Sequence, residues 1–424
     1  MFSSLKIKNF RIYWIGMFVS LVGTWIQIVA QSWLVFQLTG SVFLLGLTGF
    51  LGSIPVFLLS LFGGVVADRV NKKTILLFTQ NAFMVLAFIL AVLIQLKQVT
   101  PWQIMLIAAL NGIVMAFDAP SRQAVVVELA GRENLLNAIA LNSAAFNSAR
   151  IIGPALAAIL VASIGMSGCF YVNGISFFAV IIALLLIKLN HAPRRGNKTH
   201  PGQDLIEGLR FIKNSRTMLI LIGIVGITSL FGISYVALMP VFAEEILKVG
   251  VKGLGALMSA SGLGALLAAL GLASLGDFRY KGRLLFISLM TFSLSLAVFS
   301  LSRVYLLSLA AITCVGWASV MAIGLINTLL QSLAPDEFRG RVMSVFMFTF
   351  AGMMPLGNLI AGAMASAFGV SLTVMLGSIL CGLFFIIVNI YYPGDMTDIK
   401  IDFFAKRVKI DSDKTTLREE VKRQ

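Results

Sequence analysis

Arg150 is the residue whose type and position most demand a chemical explanation. It lies inside a long apolar run, residues 135–163, with Ser143, Asn147 and Pro154 at steps that put all four on one helix face. A guanidinium carries a permanent positive charge on a planar fork of donors, which suits carboxylate, phosphate and other electron-rich groups. At the centre of a membrane helix an Arg costs at least about 2.5–3.5 kcal/mol, so it is expected to face a bundle interior or a cavity. No Asp or Glu lies comparably deep in any apolar run of this chain. The partner of Arg150 is therefore expected to be Asn, Gln, a backbone carbonyl or an anionic ligand group. A purely structural polar cluster is the competing reading. Other polar side chains are candidates for the same cavity: Thr24, Gln27 and Gln31 at i, i+3 and i+7, then Asn111, Tyr235, Trp317, Asn327 and Asn358 on other runs. Taken singly, each is more often an interhelical hydrogen bond than a ligand contact.

A second group of side chains sits in a short polar stretch, GVVADRVNKK, residues 64–73. Gly64 permits close helix approach at a crowded membrane edge. Asp68 can accept hydrogen bonds from the N-terminus of a facing helix. Arg69 and Lys72 are basic, and Lys72 is expected to pair with Asp118 at the end of a later apolar run. A plain basic loop is the competing reading here. Within residues 135–163, Ala145, Ala149, Gly153 and Ala157 form a stripe of small residues for backbone-close packing. Pro154 removes one backbone donor and can bend that helix.

Catalytic constellations are missing. The chain has no Gly-Lys-Ser/Thr phosphate loop, no metal-ligand cluster and no Ser/His/Asp set, so neither an enzyme nor a cofactor is expected. His191 and His200 lack Cys or acidic residues at ligand spacing and read as solvated. Cys169, Cys314 and Cys381 all sit in apolar runs and read as free thiols.

The elements that position these groups follow from composition. Hydrophobic residues make up 58% of the 424 and charged ones 12%, against roughly 25% charged in soluble domains. Mean hydropathy is +0.95. Apolar runs cover 12–38, 43–67, 74–96, 101–121, 135–163 and 168–190, then 217–243, 253–276, 283–302, 305–333, 341–367 and 371–392. Crossing a hydrocarbon core takes about 20 residues of helix, and a span must satisfy its own backbone hydrogen bonds. The expected fold is an all-α polytopic membrane protein of twelve transmembrane helices in two pseudo-symmetric six-helix bundles. Residues 1–190 and 217–392 are the bundles, 191–216 a linker and 393–424 a polar tail. The start, MFSSLKIKNFRIYW, leads into an apolar run of span length and reads as an uncleaved first span. In the linker, apolar residues at 205, 206, 209 and 212 predict an amphipathic helix at the membrane surface.

A net charge of +15 raises the question of nucleic acid. Its placement answers otherwise. With both termini cytoplasmic, every Lys and Arg falls on the cytoplasmic side except Lys97, Lys248, Lys252, Arg303 and the intramembrane Arg150. That asymmetry is the positive-inside bias of a multi-pass inner-membrane protein. The expected partners are the lipid bilayer and a small molecule, with no nucleic acid, and the chain is expected to act as a monomer.

The two halves are weakly similar. A shift of 204 lays ELAGRE (128–133) on SLAPDE (332–337) and Gly153 on Gly357, and DFRYKGR (277–283) stands where DRVNKK (68–73) does in the first half. Many secondary transporters are repeats of this kind, with the site between them near the midplane. GVVADRVNKK also resembles the signature between spans 2 and 3 of the major facilitator superfamily. KNFRIYW, FDAPSRQAVVVELAGRENLLNAIALNS (117–143), RIIGPALAA (150–158) and DLIEGLRFIKN together resemble its branch of enterobactin exporters and multidrug efflux proteins.

The resemblance implies a secondary transporter that exports an amphipathic, siderophore- or drug-like molecule by alternating access, with proton antiport. It implies that Asp68 meets the start of span 11, and that Gly64, Asp68, Arg69, Lys72, Asp118, Gly153 and Pro154 serve gating. Gly153-Pro154 is similar to the antiporter signature, but Ala157 and Ala158 stand where that pattern has two glycines. If protons drive transport, Asp118 is the expected carrier. A lipid or lysolipid flippase of the same fold is the alternative within transport. A non-transporting membrane sensor is the alternative from another class, and the tail shows no effector domain to support it.

Overall fold

The computed structural model describes residues 3–187, 201–276 and 280–391. His191, His200, the first part of the DFRYKGR stretch and the 393–424 tail lie outside the described residues. Eleven apolar helices among the described residues are long enough to cross a membrane. One of them, Glu133–Leu186, has 54 residues. At 1.5 Å per residue a straight helix of that length would run about 81 Å, far beyond a bilayer. Gly165 breaks it, with φ 76° and ψ −179°, a left-handed-side conformation that glycine adopts without strain. Two spans result, and the total is twelve.

Spans 1 to 4 are Lys8–Thr39, Val42–Arg69, Lys72–Gln95 and Pro101–Gly131. Span 5 covers 133–164 and span 6 covers 166–186. The linker helix is Pro201–Lys213. Spans 7 to 12 are Arg216–Ile246, Gly250–Leu275, Lys281–Leu301, Tyr305–Leu333, Asp336–Phe368 and Val370–Tyr391. Polar residues mark the joints. The Ser41 hydroxyl caps span 2 by accepting from the Leu44 N–H at 3.3 Å, and Thr100 with Gln103 forms a capping box at span 4.

Packing repeats between the halves. Gly153 of span 5 rests on span 1 beside Val22 and Trp25, and Gly357 of span 11 rests on span 7 beside Leu230 and Ser234. Gly112 of span 4 abuts span 2 at Gly52, while Gly316 of span 10 abuts span 8 at Ser261. Both pairs obey the shift of 204. A Cβ at any of these glycines would overlap a neighbouring helix, so the close contacts require glycine. Pro154 leaves span 5 helical; the breaks fall at Gly131 and Gly165 instead.

The apolar core has three main parts. Toward the face away from Ser3 and Tyr391, here the far face, a single cluster joins both halves, from Ile26, Trp33 and Phe170 to Leu238, Phe242 and Phe299. Toward the face that carries both ends of the described chain, the terminal face, the cluster divides. Phe10, Tyr13, Leu76, Val125 and Leu184 pack within the first half. Leu221, Leu285, Leu325, Val342 and Phe385 pack within the second. The halves are thus fused on the far side and separately cored on the terminal side.

Candidate substrate site and gate

Two main seams join the halves among the described residues. In the first, span 5 lies on span 8. A Cβ on Gly255 would stand 2.5 Å from the Pro154 carbonyl, one on Gly262 would stand 2.9 Å from the Arg150 carbonyl, and Ser259 donates to the Ile151 carbonyl at 2.7 Å. In the second, span 2 lies on span 11. Gly46 packs on Asn358 and Gly362, Gly49 packs on the Asn358 side chain, and Phe57 meets Phe348 at 4.7 Å between ring centres.

Arg150 sits at the terminal-side limit of the first seam. Its Nη2 donates to Ser261 Oγ at 3.1 Å. The Tyr235 hydroxyl lies 3.5 Å from the same Ser261 oxygen, and the guanidinium stands 5.9 Å over the Trp25 ring, within cation–π range. Spans 1, 5, 7 and 8 therefore converge on one cation. Arg150 is half-buried and has no carboxylate partner among the described residues. Span 7 is locally rebuilt beside it: Thr228–Gly232 is π-helical and Ile233 and Ser234 form a turn before Tyr235. Such interruptions frequently mark functional sites.

The other polar candidates disperse. Gln27 is buried and accepts from Asn173 Nδ2 at 2.5 Å, tying span 1 to span 6. Asn147 is buried and turns back to the Ser143 carbonyl at 2.8 Å. Thr24 likewise bonds the Ser20 carbonyl at 2.9 Å. Asn327 accepts from Gln331 on its own helix, and Asn358 belongs to the seam of spans 2 and 11. Gln31 and Asn111 are half-buried and make no hydrogen bond among the described residues, while Trp317 bridges the shared core and the core of the second half. Of the expected set, Arg150 and Tyr235 come together.

The terminal side corrects one expectation. Asp118 is fully buried, but it does not pair with Lys72. Its Oδ1 accepts from Thr79 at 2.8 Å and Gln80 at 2.7 Å. Its Oδ2 accepts from Arg122 through both Nε and Nη2. Lys72 instead pairs with Glu128 at 3.3 Å. Ten residues of helix, roughly 15 Å, separate Asp118 from Glu128, and Lys72 begins span 3 level with the latter. Gly64 has open space around it, and Asp68 and Arg69 are exposed without a hydrogen bond or ion pair among the described residues.

Sequence reasoning missed several of these partners. Arg122 stood at i+4 from Asp118, a spacing that predicts pairing on a helix. Trp25 and Ser261 carried no signal of their own, because each meets Arg150 only through the helix crossing.

Residues 1–402 match the transmembrane secretion effector family. The staphyloferrin A transporter of Staphylococcus aureus is 26% identical over 83% of this chain and 88% of its own. The enterobactin exporter EntS of Citrobacter koseri is 25% identical over 90% of both chains. The multidrug efflux pump Tap of Mycolicibacterium fortuitum is 26% identical over 83% of this chain and 88% of its own. Among solved structures, the nucleoside transporter NupG superimposes with a TM-score of 0.72 at 13% identity, over 90% of this chain and 98% of its own. A bacterial homologue of the lysosomal transporter Spinster, in an inward-facing conformation, gives 0.72 at 12% identity, over 92% and 98%. At those identities the structural likeness concerns the fold alone. The chain belongs to the transmembrane secretion effector family of the major facilitator superfamily, and is a multi-pass membrane transporter rather than an enzyme.

Proposed function

We propose that this protein exports an amphipathic anion across the cytoplasmic membrane by alternating access, with both termini and the linker in the cytoplasm. The carrying observation is Arg150, a cation at the junction of four spans and both halves, without a carboxylate partner among the described residues. A ligand arriving between the separately cored ends would meet this charge where the shared core begins. Its anionic group would take the guanidinium fork, and Trp25 with Phe146, 5.8 Å apart in an edge-to-face pair, offers an apolar wall for the rest. The names of the relatives support a siderophore- or drug-like cargo. The distribution of Lys and Arg supports the orientation. The six-helix halves then act as the moving domains, with the linker between them.

Proton antiport is the energy source that the family resemblance favours. Asp118 is a poor choice of carrier, because its two oxygens are already committed to Arg122, Thr79 and Gln80 inside the first half. The charge of Arg150, which meets no carboxylate among the described residues, favours a second reading of the energetics. An anion leaving a cell moves down the membrane potential, which is worth about 2.3 kcal/mol per charge at 100 mV.

Reconstituted vesicles test both. Efflux of an anionic siderophore or drug is measured with a pH gradient alone and with a potassium-valinomycin potential alone. Acceleration by the pH gradient supports antiport, and acceleration by the potential alone supports charge-driven export. Unchanged pH dependence in Asp118→Asn removes Asp118 as carrier. Movement of labelled lysolipid and no other anion would mean a flippase, and no transport of any anion in the panel would overturn the proposal.

A further inference from the structure

The linker helix is not a loose connector. It docks on the first turns of span 11. Glu207 Oε2 pairs with Arg341 Nη1 at 3.0 Å. Phe211 stacks on Phe338 with 4.5 Å between ring centres. Gly208 lies so close to span 11 that a Cβ there would be 2.6 Å from the Arg341 carbonyl. Ile212 is buried in the core of the second half, while Ile206 and Leu209 stay exposed. In this state the linker helix is part of the second half.

The seam between spans 2 and 11 shows what must approach the same turns when the terminal side closes. The two helices run antiparallel, and Phe57 faces Phe348. Seven residues further along span 2 is Gly64, and the same step back along span 11 reaches Arg341. Eleven residues on is Asp68, and the matching position is Glu337. Continuing the seam therefore brings Gly64, now in open space, against Arg341, with Asp68 one turn away. The first turn of span 11 carries Asp336 and Glu337, and Arg339 is taken by Asp336 at 2.7 Å. A carboxylate arriving there meets like charge unless an arginine turns toward it.

We infer that Arg341 is that arginine, exchanged between Glu207 in the open state and Asp68 in the closed one. The linker helix then acts as a latch. Its grip on Arg341 holds the terminal side open, and transfer of Arg341 to Asp68 lets the loop between spans 2 and 3 close. The inference rests on alternating access but not on any particular cargo.

The test reads conformation rather than transport, so its failure is distinguishable from failure of the export reading. Spin labels go on cysteines at Thr74 and Gln331, both exposed and one in each half, in a protein whose three native cysteines are alanine. Distances are measured by pulsed electron resonance in the full chain. Glu207→Gln is expected to raise the ratio of closed to open molecules about two- to fivefold, the size of a partly exposed ion pair. Asp68→Asn is expected to lower it by a similar factor. In an Arg341→Gln background both effects should vanish. The exchange is overturned if Glu207→Gln leaves the distances unchanged, or if either carboxylate variant keeps its full effect without Arg341. Circular dichroism of each variant confirms that the helices persist. Should Arg341→Gln unfold, Arg341→Lys serves as the second background, where both effects should shrink.

Discussion

At the far side the two halves hold each other; at the terminal side each half holds itself. The far side uses glycine and small residues at Gly46, Gly49, Gly255 and Gly262, so that backbones meet and one apolar core spans both bundles. The terminal side uses charge and amide groups inside a bundle, as around Asp118, and leaves Gly64 in open space and Asp68 exposed without a hydrogen bond or ion pair among the described residues. A steric seam and a set of polar pairs differ in what they cost to undo. Close backbone packing is all-or-none, whereas the partly exposed pairs on that side, Lys72–Glu128 and Arg341–Glu207, can be exchanged for about 1 kcal/mol or less. The difference suggests that the terminal side is the easier one to remake during the cycle.

The largest expected effect tests how the first half holds itself. Asp118→Asn breaks a buried ion pair and leaves Arg122 uncompensated, a change that typically costs about 3–5 kcal/mol. Thermal unfolding in detergent should show a clear drop in Tm. An unchanged Tm would mean that the Asp118 cluster is not what secures spans 3 and 4.

Next comes the boundary between the two regimes. Arg150→Ala should lower transport of an anionic cargo about tenfold or more, since a hydrogen bond to a charged group is worth about 1.5–3 kcal/mol. Arg150→Lys should recover part of this, because a point charge lacks the fork. Full transport by folded Arg150→Ala protein would remove Arg150 from the site.

The seams themselves give a contrast of sites. Gly255→Leu would overpack spans 5 and 8 at a cost of about 1–3 kcal/mol, and should open the far side to a water-soluble thiol reagent aimed at a cysteine placed at Met258. Gly64→Leu meets open space in this state and should leave Tm nearly unchanged, yet slow transport by obstructing closure. Equal effects of the two on Tm would contradict the difference between sides.

The smallest effect concerns Lys72 and Glu128. Their side chains are 30% and 25% exposed, so either single neutralisation should cost about 0.2–1 kcal/mol. Exchanging the two residues should restore most of the loss. A swap that pairs Lys72 with Asp118 instead should restore nothing.

Much of the fold was legible in the sequence because bilayer thickness is a length constraint that apolar runs must meet. Twelve runs, the half-repeat and the amphipathic pattern at 205–212 all follow from residue type and spacing. Arg150 was legible too, since a charge deep in an apolar run is costly wherever it points. Its companions were not. Ser261 and Trp25 are distant in sequence and ordinary in type, and a helix crossing alone makes them neighbours of a guanidinium. Gln27 shared a helix face with Gln31, yet only the packing of span 6 showed that Asn173 claims it.

The same division holds at the gate. By itself the sequence placed Asp68, Lys72 and Asp118 at the same end of their apolar runs, because charge is excluded from the hydrocarbon between. Which cation meets which carboxylate was decided by tertiary structure. The axial offset between span 3 and span 4 sets Lys72 level with Glu128, and Asp118 falls deeper, where Thr79, Gln80 and Arg122 enclose it. Pairing energies fall off within a few ångströms, and only the fold fixes distances on that scale.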